Sequence, residues 1–150
     1  MAMDIVSEAE EVIKSLRKPS KKDPNILLIS LTTSQIRKFL TAVNLLKNKI
    51  DVYKINRLYK INRLKNKIDV YKINRFNEDE LSDDLAMEVK FLRVNILYQA
   101  KREKAVNEFI KKAKIEDHIN NIGSSIKKFN LFYKYVEALV AFHKYYGGRD

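Results

Sequence analysis

The sequence predicts an all-α protein, a bundle of about five helices in one domain of 150 residues. Both prolines, Pro19 and Pro24, lie near the N-terminus, and the three glycines, Gly123, Gly147 and Gly148, lie in the last fifth of the chain. Because proline and glycine are the main interrupters of helices, we expect the long stretch between them to be helical. Apolar residues recur there at helical intervals and make up 45% of the chain, which is enough for a core.

The first element is a short amphipathic helix that we expect Ser7 to cap and that ends near Leu16. The basic run RKPSKKDPN follows it, and we predict that residues 1–25 form a mobile N-terminal segment. The apolar run ILLISL comes next and is expected to be extended or strand-like.

The second helix begins at a capping box, because Thr32 is followed three residues later by Gln35. Its apolar positions repeat at helical spacing: Ile36, Phe39, Leu40, Val43, Leu46, Ile50, Tyr53, Ile61, Leu64, Ile68 and Tyr71. We predict an elongated helix or helical hairpin over residues 33–76. A straight helix of that length measures about 65 Å, whereas a compact domain of this size is about 40 Å across. The helix is therefore expected to protrude, kink or pair with a neighbour.

The elongated helix contains a duplication, residues 46–75, in which LKNKIDVYKINR occurs twice without a change and YKINR three times. The repeat period is 18 residues, or five helical turns, so both copies present the same face. Identity extends to surface positions, which tolerate change, and this indicates a recent duplication. A repeat array generally needs at least three units, so we do not predict a separate repeat domain.

Beyond the acidic run FNEDELSDD, Ser82 is expected to cap a helix with two apolar stripes. The first stripe is Leu85, Val89, Leu92 and Ile96, and the second is Met87, Phe91, Val94 and Tyr98. A helix this broadly apolar is expected at the centre of a bundle. A shorter helix around AVNEFIKKAKIEDHINNI then closes at Gly123, and a last helix begins at Ser124 or Ser125.

The formal net charge of +11 favours a polyanionic partner, since a basic surface releases counterions from phosphates when it binds. Residues 46–75 hold ten Lys or Arg and two Asp, so they contribute most of the excess. The chain has no cysteine, which fits a reducing compartment, and no apolar run approaches the roughly 18 residues of a membrane span. We expect a soluble, cytoplasmic protein.

Three separated stretches, LTTSQIRKFLTAVN, LRVNILYQAKREKAVNEFIKKA and YVEALVAFHKYYGGRD, resemble the small, all-helical subunit of type III-A CRISPR effector complexes, the Csm small subunit family. The resemblance covers roughly residues 28–47 and 76–150, in the family's order. It implies a subunit that stacks along the backbone subunits holding the CRISPR RNA, contacts the target RNA and has no known catalytic site. Two features depart from the family pattern: Lys101 stands where glycine is usual, and the duplication is additional.

On the helix after Ser82, four cations fall on one predicted face at positions i, i+3, i+11 and i+14. Such a stripe would track a phosphate backbone, although a solvated surface is the ordinary alternative. The predicted RNA-binding residues are Arg37, Lys38, Lys90, Arg93, Lys101, Arg102, Lys104, Lys127 and Lys134. Because the aromatic residues of the last helix have core spacing, we expect backbone contacts without sequence preference.

The sequence predicts no enzyme. His118 and His143 lie on different predicted helices and in no metal-binding or nucleophile motif. No carboxylate pair has the arrangement of a general acid and base, and no glycine-rich phosphate loop is present. We therefore expect no catalytic residue, no metal and no cofactor.

The expected partners are CRISPR RNA, target RNA, the backbone and large subunits of the complex, and further copies of the chain. Ile50, Ile61, Leu64 and Ile68 have no obvious cover inside one bundle, so we predict a homodimer of the isolated protein. The first alternative function is a self-associating helical scaffold or protein-interaction module without direct RNA binding. A duplex-DNA-binding protein follows, although the sequence shows no separate recognition helix.

Overall fold

The computed structural model of the chain describes residues 4–66 and 78–147, with side chains outside 64–66. The helices in this part are α1 (Ile5–Ser15), α2 (Thr33–Asn66), α3 (Asp83–Arg102), α4 (Lys104–Lys112), α5 (Ile115–Ile122) and α6 (Ile126–Tyr145). Two strands, β1 (Arg17–Pro19) and β2 (Leu27–Ile29), pair antiparallel between α1 and α2. The predicted all-α class is confirmed, with six helices in the described residues.

Helix α6 lies at the centre of the bundle. It packs against α1, α2 and α5, and its Phe129, Tyr135 and Leu139 side chains are completely buried. The T-shaped contact between Phe39 of α2 and Phe109 of α4, with ring centroids 5.9 Å apart, extends the same core toward α4. Burial of these large side chains is the main source of stability in a bundle of this kind.

The prediction that α3 is the central helix is wrong. Its first apolar stripe is buried against α2, α4 and α5, as expected. The side chains of the second stripe, Met87, Phe91, Val94 and Tyr98, are 51–67% exposed, because the neighbouring helices leave that side of α3 uncovered. Residues of two types of face therefore lie on one helix, and periodicity alone did not distinguish them.

Helix α1 is capped by Asp4 and not by Ser7 as predicted. The Ser7 backbone N–H donates to Asp4 Oδ1 at 2.7 Å, and the Ser7 hydroxyl contacts the other carboxylate oxygen at 3.0 Å. Ala9, Ile13 and Leu16 are buried in the core. This packing argues against mobility of the helix itself, whereas mobility in the rest of residues 1–25 stays a prediction.

Helix α2 begins at the predicted capping box. The Thr32 N–H donates to Gln35 Oε1 at 2.9 Å, and the Gln35 N–H donates to Thr32 Oγ1 at 3.1 Å. The helix then continues for 34 residues, about 51 Å. The expectation that Ile50 and Ile61 lack cover is wrong, since they are 0% and 6% exposed. Leu64, Ile68 and most of the second repeat copy lie outside the described side chains.

Two backbone breaks divide the C-terminal half into more helices than predicted. Glu103, with φ −130° and ψ 113°, is extended and separates α3 from α4. Lys114 adopts the left-handed conformation at φ 53° and separates α4 from α5, which we had predicted as a single short helix. A left-handed conformation costs a non-glycine residue about 1–2 kcal/mol, so no propensity rule would have placed the break at a lysine.

Residues 78–81 join the start of α6 to the middle of α2. Ser125 caps α6 as predicted, and its hydroxyl donates to Asp79 Oδ2 at 2.7 Å. The Lys127 N–H donates to Asp79 Oδ1 at 2.8 Å. On the other side, the Glu80 carbonyl accepts hydrogen bonds from the Tyr53 hydroxyl, at 3.1 Å, and from the Arg57 guanidinium.

The Asp79 carboxylate is predicted to stabilise this junction by about 1–2 kcal/mol, the usual contribution of a helix cap, in urea unfolding of Asp79→Ala at neutral pH. The two hydrogen bonds that it accepts hold its pKa below the ordinary value of 3.8. A lowered pKa stabilises the folded state above the unfolded pKa, and this contribution is lost as pH falls through the folded value. Asp79→Asn, which keeps one acceptor, should retain more stability and lose the pH dependence. Equal stabilities of all three proteins at neutral pH would contradict the assignment.

Candidate nucleic-acid interface

The clearest concentration of predicted site residues is at the corner between α3 and α4, which we call the basic corner: Lys101, Arg102 and Lys104. All three side chains are exposed, and with Asn107 they line one open depression of about 540 Å³. The corner exists because Glu103 interrupts the helix, which turns the chain and directs the flanking cations toward the same concavity. A concave group of cations is suited to a phosphate or another anion.

The basic corner corrects one detail of the sequence prediction. Lys104 was expected on the same helical face as Lys90, Arg93 and Lys101, but α3 ends at Arg102 and Lys104 belongs to α4. The corner nevertheless brings Lys104 beside Lys101, since both line the same depression. The helix passes through Lys101 without a break, in keeping with the better helix propensity of lysine over the family's glycine.

An exposed aromatic ring borders the basic corner and was missed as a candidate. The Arg102 guanidinium lies 5.7 Å from the centroid of the Tyr98 ring, and Tyr98 is 67% exposed. The i, i+4 spacing of a tyrosine and an arginine on one helix was the signal available in the sequence. We had read Tyr98 only as a member of an apolar stripe.

The other cations of α3 are exposed, but one already has a partner. Arg93 Nε donates to Glu116 Oε1 at 2.8 Å, and both side chains are about half exposed. Lys90 lies on the same side of α3 as Lys101, about 16 Å away along the helix axis. The predicted stripe is therefore two exposed lysines with an ion-paired arginine between them.

The remaining predicted residues lie on other helices. Arg37 and Lys38 are exposed on the first turns of α2 and line a depression with Thr33, Ser34 and Thr41. Lys127 and Lys134 are exposed on α6, seven residues apart and so on one side of that helix. Of the nine predicted residues, the geometry joins Lys101, Arg102 and Lys104 in one concavity and Arg37 with Lys38 in another.

Both histidines have contacts typical of packing. His143 is buried, and its Nε2 lies 2.6 Å from the Leu31 carbonyl oxygen, so this nitrogen carries the donated proton. His118 Nε2 lies 3.0 Å from Glu8 Oε1, and its ring is 4.3 Å from that of Tyr135. Within residues 4–66 and 78–147, no group of three or more His, Cys, Asp or Glu is arranged to hold a metal ion.

Most aromatic residues of α6 lie in or against the core, as their spacing predicted, with Tyr145 as the exposed exception. The Tyr135 hydroxyl donates to the Ala113 carbonyl oxygen at 2.9 Å. Burial is the largest of the effects that raise the pKa of Tyr135, with the nearby Glu8 carboxylate adding to it. The ring is thus a neutral, hydrogen-bonded core group. None of the described helices is long and apolar enough to cross a bilayer.

Fold and surface together define a small, basic, all-helical protein whose exposed cations gather at helix corners. The family model Csm2 Type III-A matches residues 4–149, nearly the whole chain. A curated relative from Streptococcus thermophilus, "CRISPR system Cms protein Csm2", is 34% identical over 145 residues, which cover 97% of this chain and 93% of the relative. The chain belongs to the Csm2 family and is a small subunit of a type III-A CRISPR complex, a structural component of that assembly.

Two further relatives with the same name support the assignment over shorter stretches. The protein from Enterococcus italicus is 30% identical over 125 residues, covering 81% of this chain and 71% of the relative. The protein from Mycobacterium tuberculosis is 39% identical over 70 residues, covering 47% of this chain and 56% of the relative. The resemblance inferred from three separated sequence stretches is confirmed.

Proposed function

We propose that this subunit binds RNA in the type III-A complex, lining the path of the CRISPR RNA and the target RNA and contacting their backbones. The observation that carries the proposal is the basic corner, where Lys101, Arg102 and Lys104 share one open concavity. Phosphates of a single strand would be bound there through charge, which accounts for binding without a base code. Arg37 and Lys38 at the start of α2 supply a second, smaller cationic surface.

The duplicated segment is a second source of charge for the same function. Residues 46–75 contribute a net +8 of the +11, and Lys54, Lys60 and Arg63 are exposed on its described part. Long-range attraction from such a segment raises the rate at which RNA associates, even where it makes no fixed contact. We infer that the segment assists RNA binding and that the basic corner determines where the strand lies.

The proposal is tested by fluorescence anisotropy of a labelled single-stranded RNA over a salt series, comparing the full chain with a variant lacking residues 58–75. Each phosphate contact contributes about 0.7 to the slope of log affinity against log salt for a single strand. We expect salt-sensitive binding by both proteins, with a smaller slope for the shortened one. Binding lost with the deletion would move the RNA contact to the segment, and binding by neither protein would reject RNA binding by the isolated subunit.

Tyr98 is predicted to stack on an unpaired base beside the basic corner. Stacking of a base on an aromatic side chain contributes about 1–3 kcal/mol, and about 1.4 kcal/mol corresponds to a tenfold change. Tyr98→Ala should therefore weaken RNA binding about tenfold, and Tyr98→Phe should not. Because stacking involves no counterion release, the salt slope should stay unchanged.

The matched control for this prediction is Tyr145→Ala, which removes another largely exposed tyrosine, at the far end of α6. It should leave RNA affinity unchanged. An RNA of the same length without bases should bind wild type and Tyr98→Ala equally. If Tyr98→Ala weakens both RNAs alike, the ring supports the shape of the corner and does not stack on a base.

The wider setting follows from the family. We propose CRISPR RNA and target RNA as partners, together with the backbone and large subunits of the complex and neighbouring copies of this chain, in the cytoplasm. We also propose that the subunit has no catalytic role, since both histidines are engaged in packing contacts, with Leu31 and with Glu8. Incubation with RNA and divalent metal should yield no cleavage products.

A self-associating scaffold is the second candidate function, and the exposed second stripe of α3 favours it. Phe91 also borders a groove between α2 and α3 whose rim carries Leu45, 61% exposed, and the ion pair of Lys49 with Glu88. Apolar surface of this kind commonly marks an interface. Light scattering at micromolar concentration should then give the mass of a homodimer, and Phe91→Asp should convert it to a monomer; a monomeric wild type would reject the candidate.

A further inference from the structure

The duplication gives the chain two identical segments for one binding site. The first copy, residues 46–57, is held on the bundle at several points. Leu46 and Ile50 are buried in the core, and Tyr53 and Arg57 donate to the Glu80 carbonyl. These contacts define a cleft formed by residues 78–81, α3 and α6, which we call the repeat cleft.

Charged side chains of the first copy add two contacts to the same cleft. Lys49 Nζ lies 2.6 Å from Glu88 Oε1 on α3, and Lys47 Nζ lies 5.5 Å from the centroid of the Tyr133 ring on α6. The cleft therefore recognises six side chains of one twelve-residue string. Each of them recurs 18 residues later, because residues 64–75 repeat residues 46–57 without a change.

The phase of the string decides whether it fits the cleft, as the third occurrence of YKINR shows. Residues 59–63 follow residues 53–57 by six positions, a rotation of about 240° at 100° per residue. Ile55 is accordingly 65% exposed while its counterpart Ile61 is buried, and Tyr59 is exposed where Tyr53 is hydrogen-bonded. A displacement of 18 residues, five whole turns, restores the phase.

Chain connectivity permits the second copy to take the place of the first. With residues 46–57 in the cleft, the 18 additional residues follow the bound copy; with residues 64–75 in the cleft, they would precede it as residues 46–63. Four residues, 76–79, would remain to join Arg75 to Glu80. The entropy of closing a loop depends only on the logarithm of its length, so moving the additional residues from one side to the other changes it little.

We propose that the repeat cleft binds either copy, so that the protein exchanges between two registers of α2 within one chain. Helix continuity beyond residue 57 and the burial of Ile61 favour the register described above, and the second register is the minor one. Exchange would move the attachment point of the basic segment by the length of twelve helical residues, about 18 Å, without altering its charge. The inference is independent of RNA binding.

Crosslinking tests the exchange directly, because the chain has no cysteine of its own. Three variants carry Glu88→Cys together with Lys49→Cys, Lys67→Cys or Lys60→Cys, and each is treated with a short bis-maleimide at low protein concentration. Lys67 is the counterpart of Lys49 in the second copy, whereas Lys60 is out of phase and closer along the helix. We expect crosslinked monomer for the first two variants and little for the third.

The substitution Ile50→Asp should favour the second register, because it places a charge in a fully buried position of the first copy only. In its presence, the Lys67→Cys crosslink should increase and the Lys49→Cys crosslink should decrease. The full chain should keep a cooperative thermal transition, while the chain lacking residues 58–75 should lose it.

Three results would overturn the proposal. The Lys67→Cys yield would not exceed that of Lys60→Cys even with Ile50→Asp, or the crosslink would appear only between two chains. Alternatively, Ile50→Asp would unfold the full chain as completely as the shortened one. The last comparison does not depend on the reactivity of any cysteine.

Discussion

Replacing Lys101 and Lys104 by alanine is expected to weaken binding of single-stranded RNA about 100-fold near physiological salt. Both side chains are exposed in one concavity, on opposite sides of the break at Glu103. A hydrogen bond to a charged group contributes about 1.5–3 kcal/mol, so the loss of two such contacts corresponds to at least two factors of ten. The slope of log affinity against log salt should fall by about 1.4. Anisotropy titrations at several salt concentrations measure both quantities.

The matched control removes the same charge elsewhere. Lys21 and Lys22 are exposed in the connection between β1 and β2, and their replacement by alanine lowers the net charge by the same amount. If binding responds only to net charge, the two double variants will lose affinity equally, and the basic corner is not the site. Lys101→Arg with Lys104→Arg should restore affinity, since position and charge are both kept.

Local sequence signals predicted the elements that depend on nearby residues. Thr32 with Gln35 forms the predicted capping box, and Ser82 and Ser125 cap α3 and α6. Each of these hydrogen bonds spans three residues, so composition and spacing over a few positions are sufficient to identify it. The buried first stripe of α3 was predictable for the same reason, because its period is that of the helix.

Features that depend on distant contacts were not predictable. Nothing near Asp79 in sequence indicates that its carboxylate caps a helix 46 residues further on. The exposure of Phe91 depends on which side of α3 its neighbours cover, and two apolar stripes on one helix do not reveal this. The left-handed Lys114 contradicts local preference and persists only because the packing around it determines the turn.

The candidate site was predicted in part. Lys101 and Arg102 were identified from helical spacing, and Lys104 was identified although it was assigned to the wrong helix. The concavity that unites them depends on Glu103, a residue with no strong helix-breaking character, so its geometry could not be derived. Tyr98 was missed because the same residue satisfied an apolar period, and only its exposure beside Arg102 distinguishes the two interpretations.

Removal of residues 1–16 is expected to abolish the cooperative thermal unfolding of the protein, measured by circular dichroism. Val12, Ile13 and Leu16 are at least nine-tenths buried, and complete burial of such a side chain contributes about 1.5–3 kcal/mol. The three together contribute roughly 5–9 kcal/mol, an upper estimate, against a total stability of about 5–15 kcal/mol for a domain. The variant also loses the contact of Glu8 with His118 and exposes the surface of α6 that α1 covers.

Two single substitutions on α1 separate packing from other effects of the deletion. Ile13→Ala should lower the stability by about 2–5 kcal/mol, because its side chain is completely buried. Val6→Ala, on the exposed side of the same helix, should change the stability by no more than about 0.5 kcal/mol. A shortened chain that unfolds at the same temperature as the full chain would restore the original interpretation, in which the N-terminus is a mobile segment outside the core. An unstable shortened chain with an unaffected Ile13→Ala would place the contribution of α1 in its polar contacts, among them the hydroxyl of Tyr146, which donates to Glu10 Oε2 at 2.8 Å.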